Sequence, residues 1–347
     1  MSITQPAPAA RPTRIGRGRW VVAVAVLLAI LVAGVLVGSV AIDPTNVIRA
    51  LLDRLPFVDL ESGLTEVQER VLFEIRLPRV VIGGIVGSIL ALAGAGYQGV
   101  FRNPLADPYL LGVAAGAGLG ATFVIGAGGG SAVIPPVAFL GGLTAVLATY
   151  ALGRTAGGRT MTSLILAGVA VAAFATAIQT FLLQRNYETL REVYSWILGR
   201  LVTVGWSEVF ILLPYAVVSG VILVLYRRLL DVLALCDDEA AGLGVDVVKV
   251  RRIVVLAATL ATAAAVSVSG LIGFVGIIVP HTVRLLTGWS YRLIIPLSIL
   301  YGASFLVLAD LVARTVVAPA ELPIGVVTAF LGAPFFVIVL RTVRGSQ

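Results

Sequence analysis

Ten apolar runs of sixteen to twenty-two residues fill this chain, and they constrain its fold more than any other feature. They cover residues 20–41, 79–97, 109–126, 134–152, 162–183, 209–226, 253–268, 271–286, 293–308 and 323–340. In hydrocarbon each backbone polar group must bond within its own segment, so apolar runs of about 20 residues fold as helices. The expected fold class is an all-α polytopic membrane protein of about ten transmembrane helices. A mean hydropathy of +1.04 and a charged fraction of 12% agree, since soluble domains carry roughly 25%.

Charge placement orients the spans. Lys and Arg are retained on the cytoplasmic side, and a cytoplasmic N-terminus places 16 of the 25 basic residues inside. The run from Trp20 is too long for a signal-peptide core, which takes 7–15 residues, so it reads as an uncleaved first span. The expected organisation is a cytoplasmic tail (1–19), a ten-helix permease domain (20–341) and a cytoplasmic tail (342–347). Spans two to five and seven to ten then run in opposite orientations, which gives the chain inverted-repeat character. Leu77-Pro78 and Leu322-Pro323, opening spans two and ten, are a weak echo of it.

One polar interval, residues 227–252, stands apart in the middle of the chain. It holds the sole lysine (Lys249), the sole cysteine (Cys236) and the acidic run Asp237-Asp238-Glu239. Paired arginines flank it on both sides, so it is expected as a cytoplasmic loop with two short helices broken near Gly242 and Gly244. Such a loop offers a docking surface for a soluble partner. Two further places interrupt the apolar pattern. Asn103 and Pro104 end span two, because proline removes a donor and restricts its neighbour. Gly270, Gly273 and Gly276 precede Pro280, which is expected to interrupt span eight. Close helix packing and a moving gate are both open readings of these glycines. Gly83 and Gly87, and Gly112, Gly116 and Gly120, recur at the four-residue spacing that lets helix backbones approach in lipid.

The chemistry that is missing narrows the function. One cysteine and one histidine, His281, provide neither a disulfide nor a metal site. Lys249 lies between two valines, not in a phosphate-cradling Gly-Lys-Ser/Thr loop, so this chain does not hydrolyse ATP. Basic residues sit at span ends and form no nucleic-acid patch. Few ionisable groups fall inside the spans, which counts against an ion-coupled carrier. A structural scaffold or sensor is a third reading, distinguished by partner binding without substrate flux.

Four segments carry a resemblance: residues 76–113, 270–286, 308–314 and 321–336. Together they resemble permease subunits of the ATP-binding-cassette importers for iron–siderophores, cobalamin and haem (FecCD-type, type II importers). The resemblance implies a homodimer or paired heterodimer in the bacterial inner membrane. It also implies two ABC ATPase subunits, which bind ATP and Mg, and a periplasmic or lipid-anchored substrate-binding protein. It places ATPase coupling at Asp237, Asp238, Glu239, Ala240, Ala241, Gly242, Leu243, Gly244 and Val245. Binding-protein docking is carried over to Arg76, Arg79 and Arg314. The implied cargo is a ferric-siderophore-type chelate, with cobalamin and haem as alternatives.

Overall fold

The computed structural model describes residues 17–38, 40–54, 56, 60–155, 161–201 and 205–344. Most of the terminal tails, at 1–16 and 345–347, lies outside the described residues, as does Arg159. Helix dominates, and among the described residues there is no strand. The ten apolar runs correspond to helices α1 (Arg17–Leu36), α2 (Leu77–Phe101), α3 (Val113–Gly126), α4 (Ile134–Thr155) and α5 (Met161–Arg185), then α6 (Ser207–Leu233), α7 (Val247–Ser269), α8 (Val275–Thr287), α9 (Tyr291–Thr315) and α10 (Ile324–Arg344). Seven candidate spans among the described residues are long and apolar enough to cross a membrane; α3, α8 and the described apolar part of α10 (Ile324–Val337) are shorter.

Helix α2 forms the centre. It packs on α6, α7, α8 and α9, while α3 packs on α4 and α5, and α7 bridges to α4. Small residues make these crossings possible, because backbones close to within van der Waals contact only where no Cβ intervenes. A methyl group at Gly87 would overlap the Gly302 carbonyl of α9, one at Gly94 the Gly276 carbonyl of α8, and one at Gly116 the Gly141 carbonyl of α4. The glycine stripes are therefore packing seams. Gly112 departs from its stripe: it sits just ahead of α3 with a φ of +82°, a conformation that favours glycine.

The polar stretches carry more helix than their composition implies. Helices Pro44–Asp53 and Glu66–Arg70 lie between α1 and α2, and Leu190–Ile197 lies between α5 and α6. The connector after Leu190–Ile197 plugs a gap between α7 and α10. Arg200 N–H donates to the Ser269 carbonyl at 2.8 Å, and Gly325 N–H to that of Leu198 at 3.0 Å.

Candidate coupling surface and gate

The central polar interval is shorter than its sequence implies. Helix α6 continues through Arg227 and Arg228 to Leu233, and α7 begins at Val247, capped by Asp246, whose carboxylate accepts from Lys249 N–H at 2.9 Å. Only one short helix, Asp237–Gly242, stands between them, not two. The chain leaves it through Gly244 at φ +80°, which explains why a second helix does not form there.

Its residues divide cleanly into anchor and surface. Ala240 is fully buried and Val245 half-buried, whereas Asp238, Glu239, Ala241, Gly242, Leu243 and Gly244 are exposed. Leu243 is 65% exposed beside those two carboxylates, an apolar point with an acidic flank. Asp237 holds the helix down, accepting from Arg251 at 2.7 and 2.9 Å and from Arg102 at 2.6 Å. Hydrogen bonding from Arg251, its positive charge and the same contributions from Arg102 keep this carboxyl below the usual carboxylate range.

Arg102 links this surface to the first break in the bundle. It is the left-handed cap of α2 (φ 50°), and its Nε donates to the Leu233 carbonyl at the end of α6. Asn103 N–H closes the cap on the Gln98 carbonyl, and Asn103 Oδ1 accepts from Leu105 N–H at 2.9 Å. Pro104 follows, as is common just beyond a helix C-terminus. Sequence reasoning singled out Asn103 and Pro104 but missed Arg102, the residue that ties them to Asp237. The signal was present: a lone arginine directly before a helix-ending Asn-Pro, facing an acidic loop.

The second break lies at Gly270–Phe274, ahead of α8, and not at Pro280. Helix α8 runs through Pro280 because the carbonyl that proline cannot bond, that of Gly276, instead accepts from Gln98 Nε2 at 3.1 Å. Within the break, Tyr109 satisfies the exposed backbone. Its hydroxyl donates to the Ile272 carbonyl at 2.9 Å and accepts from Ile272 N–H at 3.1 Å. Since Tyr109 belongs to the turn that opens α3, the two breaks are stitched together inside the protein, where nonhelical backbone is tolerated. Gly276 completes the join, with Leu90 and Pro108 close enough to exclude a larger side chain.

The three docking candidates sit at the opposite end and are mostly buried. Arg76 and Arg314 are 4% and 3% exposed. Arg76 donates to the Val35, Leu36 and Val40 carbonyls at 3.1, 3.3 and 2.6 Å, and Arg314 to Gly34 at 2.7 Å. Both therefore cap the C-terminal end of α1, whose free carbonyls attract cations. Arg79 lies between Asp310 (2.8 Å) and Glu321 (2.9 Å), and Asp310 also faces Arg314 at 3.4 Å. Only the Arg79–Glu321 side of the cluster approaches the surface, whereas Arg76 and Arg314 are occupied by the carbonyls of α1. These residues, with Arg284 in α8, also place charge inside helical segments that sequence reading took as nearly charge-free.

The profile of the FecCD transport family matches residues 26–342. The cobalamin import permease BtuC of Halobacterium salinarum is 42% identical over 283 residues, 81% of this chain and 76% of that one. The Fe(3+)-citrate import permease YfmD of Bacillus subtilis is 36% identical over 306 residues, covering 86% and 89%. The hemin transport permease HmuU of Yersinia pestis is 38% identical over 280 residues, covering 77% and 82%. A solved structure presented as an inward-facing metal-chelate type ABC transporter matches with a TM-score of 0.82 at 28% identity, over 94% of this chain and all of that one. With several helices long and apolar enough to cross a membrane, this multi-pass membrane chain belongs to the FecCD transport family.

Proposed function

We propose that this chain is the permease subunit of an ATP-driven importer that carries a ferric-siderophore-type iron chelate into the cytoplasm by alternating access. The observation that carries the proposal is the Asp237–Gly242 helix: exposed on one face, anchored on the other, and wired through Asp237 and Arg102 to the break after α2. Two ABC ATPase subunits, with ATP and Mg bound to them, grip Asp238, Glu239 and Leu243. When ATP closes that pair, the short helix moves and Arg102 transmits the displacement to Asn103 and Pro104. Tyr109 then couples that break to the one before α8, where Gly276 seats against α2. ATP acts by binding one state of the assembly better than the other.

In this reading all ten apolar helices cross the membrane, with both termini cytoplasmic and 227–252 on the same side. Hydrogen bonds between helix ends support that sorting: Arg19 meets Leu286, and Arg102 meets Asp237, at one end; Arg314 meets Gly34, and Trp206 meets Phe73, at the other. The pairing of α2 with α9 and of α4 with α7 is what a twofold repeat of spans two to five and seven to ten requires. A second permease copy or a paralogue completes the path in the bacterial inner membrane. A periplasmic or lipid-anchored binding protein docks at the rim that Arg79 and Glu321 reach, where charge pairs orient more than they bind. Cobalamin is the second reading of the cargo, favoured by the 42% identity to the archaeal cobalamin permease.

Reconstitution with the ATPase and binding protein in liposomes tests this. Loaded binding protein should raise ATP hydrolysis severalfold, and replacing residues 239–244 with a Gly/Ser linker should release the ATPase. Stoichiometric co-purification after that replacement would show that the loop is not the grip. Uptake of a labelled ferric siderophore against labelled cobalamin separates the two cargoes.

A further inference from the structure

A cavity of about 910 Å³ opens between α4 and α6, with α7 as its floor. It is separate from the break after α2 and from the Asp237 surface, and its lining ends at Val268, just ahead of the Gly270–Phe274 break. The rings of Phe139 and Tyr215, which meet at 5.2 Å, form part of its lining. From Ser207 to Tyr215 along α6 is eight residues, about 12 Å of helix. Its lining is mostly apolar, and Leu140 and Ile211 within it are 59% and 56% exposed. On a membrane-spanning bundle such a crevice opens to acyl chains.

The rim carries opposite charges that leave one another unsatisfied. Arg200 is half-buried and lines the cavity, and its side chain makes no hydrogen bond or ion pair among the described residues. Its backbone N–H is committed to Ser269, which fixes the residue at the rim. Glu208, also half-buried, lines the same cavity and, among the described residues, accepts only from the Ser207 hydroxyl at 2.8 Å. No ion pair joins the two. An occupant that satisfies both carries an anion and a hydrogen-bonding cation, and the apolar residues of the same cavity suit a tail. Arginine's fork suits phosphate, and a carboxylate suits a primary ammonium.

We infer that the α4–α6 crevice is a binding site for an aminophospholipid, with its phosphate on Arg200, its ammonium on Glu208 and the upper part of an acyl chain against α7. Lipid recognition of this kind joins headgroup charge to apolar burial. The site depends on the membrane setting of the chain and not on its cargo.

Native mass spectrometry of the full-length protein with equal amounts of phosphatidylethanolamine, phosphatidylcholine and phosphatidylglycerol tests it. Phosphatidylethanolamine should be retained about tenfold better than either competitor. Glu208→Gln should erase that preference while keeping phosphate-dependent retention, and Arg200→Gln should reduce retention of all three. Ala264→Phe, which fills the crevice from its floor, should exclude lipid with both rim charges intact. Equal retention of the three lipids by the unmodified protein would overturn the assignment. So would an undiminished ethanolamine preference in Glu208→Gln, whose change at a half-buried rim position leaves the packed core untouched.

Discussion

Two clusters of the same composition, arginines gathered around an aspartate, sit at opposite ends of the bundle and do different work. At one end Asp310 is 2% exposed between Arg79 and Arg314, with Arg76 nearby on the carbonyls of α1. At the other, Asp237 stands exposed between Arg102 and Arg251. Burial separates them. A charge removed from water costs several kcal/mol unless its partners are in place, so the Asp310 cluster works only as an intact unit. An exposed pair contributes at most about 1 kcal/mol, so the Asp237 cluster can open and reclose at little cost. In the proposed reading, a fixed rim opposite a compliant grip is the arrangement an externally driven gate requires.

Removing Asp310 is the strongest way to break this comparison. Asp310→Ala leaves Arg314 buried with no carboxylate and Arg79 with Glu321 alone, and the expected loss is about 3–5 kcal/mol in detergent unfolding. A loss under about 1 kcal/mol would place the two clusters in one class. Replacing Arg76 sharpens the same point at smaller cost. Arg76→Met leaves the Val35, Leu36 and Val40 carbonyls without their donor. Unsatisfied buried groups cost about 1–3 kcal/mol. The loss should be local: hydrogen exchange should rise at the C-terminal end of α1 and stay unchanged in α7.

The two clusters were unequally legible in the sequence. Apolar runs announced the helices, since hydrophobicity is a local property of each segment, and the Asp237 run announced itself as polar residues amid apolar ones. The partners were another matter. Arg102 and Asp237 are 135 residues apart, and Arg79 and Asp310 are 231 apart. No local pattern states which charge meets which. Pro280 was misread for the same reason: its effect depends on Gln98, 178 residues away from Gly276, taking the freed carbonyl. Helix ends were also drawn too short, because Arg227, Arg228, Asp310 and Arg314 look like boundary residues until their neighbours are known.

The smallest expected effect concerns pH and salt at the Asp237 cluster. Its carboxyl titrates below the ordinary value in the folded protein, through its bonds to Arg251 and Arg102. A lowered folded pKa stabilises the anchored helix fully above the unfolded value, about 3.9, and that contribution is lost as pH falls through the folded value. Between pH 5 and 8 the short helix should therefore hold one mobility, and it should loosen only below about pH 4. Cys236, the only cysteine and exposed directly before Asp237, allows a spin label to report this without further engineering. Asp237→Asn should raise label mobility at pH 7 by an amount equivalent to less than about 1 kcal/mol. Raising salt from 0.1 to 1 M, which shortens the screening length from about 10 to 3 Å, should move the unmodified protein part of the way there. The Asp310 cluster, shielded from ions, should not respond to that change. A mobility step near pH 6 would assign the anchor to some group other than Asp237. A salt response of equal size at both ends would mean that burial does not distinguish the two clusters.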